Sequence, residues 1–494
     1  MAQETVFIVI MAAYLGLLIL WGVFQGRKVK SSSDYAIAGR KLPGWVAALS
    51  ERATGESSWA LLGLPGAAYA TGLVEIWTAI GCLSGIITAW VLLAWRLRRA
   101  AAEYNVNTFT QFISCKHGEL ANTIRLTGSI TIVLVFFFYV AAQFLGGGKS
   151  LESMFGISPV TGMLITVAII VPYTIYGGLQ SVVYTDVIQA IIMIITLVLG
   201  PIFGIKYLMD NPDIYAANIG IALDKASEAG NYGYNSIFGG AKGFGAGIMI
   251  ATGFSWFFGY LGGQPQLSMR FMAIRDDKQA KRARNIGVIW TVFAYVGALT
   301  LGWIGIAIFG PNGLSDAEQV MPEVIMRVFP AGIAALLITG AIAAMISTAD
   351  SLLILSSTEL SENLIAPLTK SKINPQKSLK LSRLITAGLA LIATLIAYIV
   401  YRAGADNIFS LVGYVWAFIG CPYSVVILLT LFWKKYHGRA AVITIIGGML
   451  FTVVWIATGM DTIITSRIIT FFFSLLLAII AGVAVPKAIA KQNQ

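Results

Sequence analysis

Leu49-Ser50-Glu51-Arg52-Ala53-Thr54-Gly55-Glu56-Ser57-Ser58-Trp59, followed closely by Gly63-Leu64-Pro65-Gly66, puts charge and glycine inside a stretch otherwise apolar enough to cross a membrane. Glu51, Arg52 and Glu56 would each add roughly 2.5–3.5 kcal/mol near the centre of a spanning helix, so such groups mark routes for ions or polar solutes. A second apolar segment, Gly243 to Pro265, is interrupted in the same manner by Gly253, Ser255-Trp256, Gly259-Tyr260 and Gly262-Gly263-Gln264-Pro265. Two interrupted helices in corresponding halves of a polytopic chain are the pattern of a secondary transporter's binding site.

The whole chain carries this membrane signature. Of its 494 residues, 57% are hydrophobic and 12% charged. The mean hydropathy of +0.79 excludes a soluble core and defines an integral membrane protein. A pass needs roughly 20 mostly apolar residues. About thirteen such runs are present, near 6–26, 44–72, 75–97, 125–147, 157–178, 180–208, 243–265, 286–311, 331–363, 382–402, 407–432, 438–459 and 464–486. They are predicted to be α-helical throughout, because lipid offers the backbone no partners and the runs are too long for barrel strands.

A net charge of +11 would suggest nucleic acid in a soluble chain, but here most of the 34 Lys and Arg fall on alternate loops. The positive-inside rule then predicts a multi-pass protein of the cell inner (plasma) membrane, with its N-terminus outside and its C-terminus cytoplasmic. An odd number of passes requires those opposite ends. The partners implied are the lipid bilayer and a small-molecule solute, with no nucleic acid. A monomer is sufficient, and the sequence leaves the oligomeric state open. Cys82, Cys115 and Cys421 indicate no disulfide framework. His117 and His437 are isolated on predicted loops, and no Ser-His-Asp, His-rich metal or phosphate-loop constellation is present, so no enzyme is expected. Met1-Ala2-Gln3-Glu4-Thr5 lacks the basic region of a cleaved signal peptide, which predicts that the first pass is retained.

Asp34-Tyr35 with Gly39-Arg40, Ala48-Leu49-Ser50, Gly63-Leu64-Pro65-Gly66-Ala67, and Glu75 with Trp77 resemble the sodium/solute symporter family, and its sodium/proline symporters most closely. Tyr176-Gly177-Gly178 leading to Thr185-Asp186, Arg270-Phe271-Met272, Met345 to Ser351, and Leu411-Val412-Gly413-Tyr414 with Trp416 extend the resemblance over nearly the whole chain. It is weakest in the first pass and the last two. The resemblance implies an all-α, leucine-transporter-like core of two inverted five-helix repeats, passes 2–6 and 7–11, within residues 44–432. Residues 1–43 would hold the first pass and a basic loop, and 433–494 the peripheral passes 12 and 13. The two interrupted segments are then the first helix of each repeat. The function implied is sodium-coupled symport of proline or a similar small amino acid into the cell by alternating access. The alternatives are the same fold with proton coupling or another small polar solute (sugar, carboxylate), or a solute-sensing membrane module.

Na⁺ is a small hard cation that an uncharged cage of carbonyls and hydroxyls can hold and release. The resemblance assigns the cage to the carbonyls of Ala53, Glu56 and Ala344 and the hydroxyls of Ser347 and Thr348. Ala344 precedes Thr348 by one turn, so its carbonyl and that hydroxyl share a face. The alternative for both hydroxyls is a bond back to carbonyls one turn earlier. Asp186, at the predicted cytoplasmic start of pass 6, is a cation attractor on an exit path, part of a second sodium site, or a charge facing the helix macrodipole. Asp350 orients the neighbouring hydroxyls, closes a gate with a basic partner, or sits in a structural ion pair. The proline symporters carry an aspartate at the place of Gly55. Here the carboxylate is one position on, at Glu56, which replaces that acid, carries a proton, or pairs with Arg52. Gly55 itself favours unwinding.

A zwitterion with an apolar ring needs aromatic walls and backbone polar groups. Trp59, Tyr139, Trp256 and Tyr260 supply the walls, with Gln264, Pro265 and the backbone at Gly55 and Gly259 as polar contacts. Trp256 and Tyr260 sit four apart on one helical face, and Pro265 frees a carbonyl because it cannot donate. Interface belts and packing are the alternative for the aromatics. The run Gly259 to Pro265 has one glycine more than the proline transporters' pattern, which predicts a longer or bulged segment. Lys149, after Gly146-Gly147-Gly148 at the predicted outer end of pass 4, draws anionic solutes or, as is commoner, snorkels to the headgroups.

Overall fold

The computed structural model describes residues 2–29, 31–211, 214–230, 233–365 and 375–486. The basic segment 366–374 and the C-terminal tail, both used in the charge argument above, lie outside them. The principal helices are α1 (Ala2–Gly26), α2 (Gly44–Ser58), α3 (Leu64–Thr71), α4 (Ile76–Thr88), α5 (Ala94–Glu103), α6 (Ala121–Phe155), α7 (Pro159–Asp210) and α8 (Phe244–Phe254). They continue with α9 (Trp256–Gly259), α10 (Pro265–Ala273), α11 (Asp277–Phe309), α12 (Val320–Val328), α13 (Ala331–Leu360), α14 (Pro375–Arg402), α15 (Ile408–Val415), α16 (Cys421–Phe432), α17 (Gly438–Ala457) and α18 (Ser466–Ala484). Among the described residues the only β-pairing is an isolated bridge between Leu42 and Ile274, which ties the entry to α2 to the exit from α10.

Among the described residues, ten stretches are long and apolar enough to cross a membrane, fewer than the roughly thirteen runs read from hydropathy. The difference has local causes. Gly44–Glu103 is one 60-residue stretch that turns back at Gly72 (φ 78), a conformation open to glycine. Predicted passes 5 and 6 form a single bent element, α7, whose hinge is Gly178 (φ 58). The seventh is divided into α8, α9 and α10 and runs on to Ala273, past the predicted end at 265.

Burial sorts the helices into layers. In α13, 78% of the most apolar stretch is buried, against 28% in α1 and in α18. A helix apolar on all sides belongs at the centre of a bundle, and α13 packs there on α2, α6 and α7. Small residues let the bundle close. A side-chain carbon added at Gly297 on α11 would meet the Leu197 carbonyl at 1.8 Å, and one at Gly302 the Pro65 carbonyl at 2.4 Å. The glycines before Lys149 do not end their helix, which runs on to Phe155. Instead they admit α7, since a side chain at Gly148 would meet the Pro159 carbonyl at 2.5 Å.

Candidate functional site between two broken helices

Helix α2 is interrupted, but at Ser57 (φ 48, ψ −160) and not at Gly55, which remains helical. The freed amides find side chains. Ser58 N donates to Gln143 Oε1 at 3.0 Å, and Trp59 N to Ser57 Oγ at 3.3 Å. A π-helical turn, Trp59–Gly63, then leads into α3. The Gly55 carbonyl, expected to be open to solute, accepts the Trp59 indole N–H at 3.0 Å. The Glu56 carbonyl accepts the Trp59 amide. Ala53 is fully buried within α2.

Arg52 occupies the middle of a buried charge group. It donates to Glu51 through Nε (2.5 Å) and Nη2, to Glu56 Oε1 at 2.9 Å and to Thr291 Oγ1 at 3.1 Å. Trp90 Nε1 adds a bond to Glu51 Oε2 at 3.2 Å. The intramembrane charges are thus largely paired internally.

Beside this group, neutral oxygens from α2 and α13 converge. Thr348 Oγ1 donates to the Ala344 carbonyl at 3.1 Å and to the Thr54 carbonyl at 3.0 Å. Thr54 Oγ1 lies 3.4 Å from Ser347 Oγ and 3.2 Å from Ser351 Oγ. So Thr348 does bond back one turn, as hydroxyls in helices commonly do, and reaches α2 as well. Thr54 joins the oxygens that the sequence points to. An isolated threonine gives no sign of which helix it faces. No group of three or more His, Cys, Asp or Glu with metal-holding geometry exists among the described residues, so a cation here would meet mainly carbonyl and hydroxyl oxygens.

Asp186 is not at a helix start. It lies two turns past the Gly178 hinge, fully buried, and accepts from Ser50 Oγ (2.6 Å) and Arg270 Nη2 (3.1 Å). Arg270, from α10, also donates to Ser351 Oγ at 2.5 Å. An ion pair between the broken seventh pass and α7 therefore replaces the macrodipole reading. Asp350 is buried next to this group, with Ser351 Oγ 3.4 Å from its Oδ1.

The aromatic candidates meet. Trp59 stacks on Trp256 with centroids 4.8 Å apart and planes 13° from parallel. Trp416 joins Trp256 (5.5 Å), Tyr260 (5.3 Å) and Tyr139 (5.9 Å), and Tyr295 lies 5.8 Å from Trp59. These are not interface belts, for all six rings are buried. The Trp256 and Trp416 indole N–H groups and Gln264 Nε2 have no hydrogen-bond partner among the described residues. Orphaned buried polar atoms in such number call for an occupant, as each is costly to leave unpaired. Trp416 was legible only as part of a motif, and Tyr295 carried no local signal.

The extra glycine also finds its reason. Gly262 (φ 85) and Gly263 make a tight turn against the π-helical turn Trp416–Gly420, where a side chain at Gly263 would meet the Gly420 carbonyl at 2.0 Å. Pro265 is the first residue of α10, a position where the missing N–H is not needed. It therefore frees no helical carbonyl, and Gly259 serves to admit the Trp416 ring.

At the end of α6, Lys149 is only 6% exposed and does not snorkel. Its Nζ lies 2.6 Å from Glu318, 2.9 Å from Asp316 and 3.7 Å from Asp406. Glu318 Oε1 in turn accepts from Phe409 N at 2.9 Å. One lysine thus gathers α6, the turn before α12 and the start of α15.

A central, largely buried helix facing a broken one, with neutral oxygens at their contact and an aromatic cluster at the breaks, defines a membrane transporter with a leucine-transporter-like core. The profile of the sodium:solute symporter family matches residues 35–450. The chain is 32% identical to the high-affinity proline transporter PutP of Bacillus subtilis, over 93% of this chain and 94% of that one. It is 30% identical to the sodium/proline symporter of Escherichia coli, over 92% and 88% of the two chains. The structure of a substrate-bound, outward-open Na⁺-coupled sialic acid symporter matches its fold with a TM-score of 0.81 at 19% identity, covering 98% of this chain and 99% of that one. The protein belongs to the sodium:solute symporter family, and Na⁺ is its coupling ion.

Proposed function

We propose that the solute is proline or a close amino-acid analogue, carried with Na⁺ across the plasma membrane into the cell by alternating access. The observation that carries this reading is the meeting of the two breaks. Trp59, two residues past the Ser57 break, stacks on Trp256, four residues before the turn at Tyr260, and the oxygen cluster of Thr54, Ser347 and Thr348 lies one turn away. Relatives named as proline transporters supply the solute class.

In this reading Na⁺ binds among the carbonyls of Ala53, Glu56 and Ala344 and the hydroxyls of Ser347 and Thr348, with Thr54 as an added member. It ties α2 to α13 and so fixes the backbone three residues upstream of the Ser57 break. The solute enters between Trp59 and Trp256, whose helices belong to different repeats and part without breaking either. Its ring lies against Tyr139, Tyr260 and Trp416. Its charged groups meet Gln264, the Tyr260 and Tyr295 hydroxyls and the indole N–H groups of Trp256 and Trp416. On the outer side, by the charge argument, the Lys149 cluster closes over the solute, and Na⁺ leaves inward past Asp186. Asp350 orients the hydroxyls of its own helix. A monomer suffices for this cycle, with the N-terminus outside and the C-terminus cytoplasmic.

The test is a thermal-shift screen of amino acids, sugars and carboxylates with and without Na⁺, followed by uptake into proteoliposomes under a sodium gradient. Proline should stabilise the protein only with Na⁺ and should be accumulated. A sugar or dicarboxylate that is accumulated in its place would overturn the substrate assignment.

A further inference from the structure

A pocket of about 400 Å³ opens between the end of the third predicted pass and the start of α11, lined by Trp90, Val91, Trp95, Arg99, Lys281 and Arg284 among others. It lies where apolar surface gives way to charge on both helices. Val91 and Leu92 are 43% and 44% exposed, followed by Arg96, Arg98 and Arg99. On α11, Lys281, Arg282 and Arg284 precede the exposed Ile289, Phe293 and Val296. Such a border marks the level of the phospholipid headgroups.

The charges in the pocket do not balance. Asp277 is the one carboxylate lining it, and it is already held by Arg98 (2.5 Å) and Arg99 (2.6 Å). Lys281 and Arg284, one turn apart on the same face, have no ion pair among the described residues. Trp95 carries Arg96 and Arg99 over its ring at 4.1 and 4.9 Å. A cationic recess with an aromatic wall, open along an apolar helix face, fits a phosphodiester with acyl chains.

We propose that this pocket binds an anionic phospholipid of the phosphatidylglycerol class. The phosphodiester sits on Lys281 and Arg284, and an acyl chain lies along Val91. The inner wall gives the site a route to the transport core. Trp90 is 2% exposed, its ring lies 4.5 Å from Phe271 of α10, and its indole N–H is the one that bonds Glu51. A lipid seated in the pocket therefore presses on the side chain that helps hold the Glu51–Arg52–Glu56 group.

The inference is independent of the solute's identity, and so is its test. The full chain in detergent is mixed with equal amounts of phosphatidylglycerol and phosphatidylcholine, and retained lipid is counted by native mass spectrometry. Phosphatidylglycerol should be retained several-fold more, and the double variant Lys281→Gln/Arg284→Gln should weaken that retention roughly tenfold or more. Thermal shift is the second readout. Phosphatidylglycerol should raise the wild-type midpoint, phosphatidylcholine should not, and the variant should lose most of the rise. Both substitutions are at the rim, so the lipid-free midpoint should stay unchanged. Equal retention of the two lipids by the wild type overturns the proposal without recourse to any variant. So does an undiminished shift in the double variant, or the same shift with inorganic phosphate alone.

Discussion

Replacing Thr348 tests the cation site at its most connected atom. Thr348 Oγ1 meets a backbone carbonyl of each helix, 3.0 Å from that of Thr54 and 3.1 Å from that of Ala344. Thr348→Val keeps the volume and removes the hydroxyl. Without Na⁺ the loss is one hydrogen-bonding group between carbonyls, worth about 1 kcal/mol of stability. With Na⁺ bound the hydroxyl oxygen faces a charge, and interactions of that kind are worth about 1.5–3 kcal/mol. The difference, about 0.5–2 kcal/mol, is what sodium binding loses, and at about 1.4 kcal/mol per decade the Na⁺ concentration giving half-maximal uptake should rise roughly 2- to 30-fold. Thr348→Ser restores the hydroxyl and should return to within about threefold of the wild type. Thr54→Ala removes a hydroxyl but keeps the carbonyl that Thr348 meets, so its effect should be the smaller one. The assay is initial uptake into proteoliposomes across a sodium titration at saturating solute. A Thr348→Val protein that folds, transports and keeps the wild-type sodium dependence would refute the assignment.

The stacked ring pair predicts that Trp256→Phe raises the solute concentration for half-maximal uptake up to about tenfold, since aromatic pairs contribute about 0.5–1.5 kcal/mol beyond burial; an unchanged value at fixed Na⁺ would place the solute elsewhere. Arg52→Met leaves two buried carboxylates facing each other and should cost about 3–5 kcal/mol, visible as a large drop in midpoint that Arg52→Met/Glu56→Gln partly recovers. Lys149→Met strands the buried Glu318 charge and should open the end of α6, so that a cysteine at Phe409, in a background without the native cysteines, reacts faster with an impermeant maleimide. The added change Glu318→Gln should slow it again. Burial holds the Glu318 carboxyl above its ordinary value of 4.5, against the pull of Lys149. The closed cluster therefore binds a proton more tightly than an opened, solvated one. By linkage, closure is favoured as pH falls and disfavoured as pH rises through the raised value. Labelling, taken relative to that of a free thiol at each pH so that the falling thiolate fraction cancels, should slow between pH 7 and 5, and Glu318→Gln should reduce that dependence.

Much of the fold was legible because its signals are local. Apolar runs, loop charge and glycine at the breaks each speak for the segment that carries them, which is why the second and seventh passes could be read as interrupted. The break itself moved from Gly55 to Ser57. Glycine permits unwinding, but the position was set by Gln143, which reaches across from α6 to take the orphaned Ser58 amide. The same limit applies to Lys149. Its place after three glycines looks like a helix end facing headgroups, and only the approach of α7 and of the 316–318 turn buries it under carboxylates.

Membrane residence, all-helical architecture, family membership and the two candidate breaks were settled by residues acting on their own neighbours and on lipid. The pairings that make a site were decided by the tertiary structure alone. Thr348 meets a residue 294 positions away, Lys149 one 169 away, and Arg270 one 84 away. Helical periodicity tells which side of a helix is apolar, not which distant helix will face it. Partners separated by hundreds of residues are chosen by how all the helices pack at once.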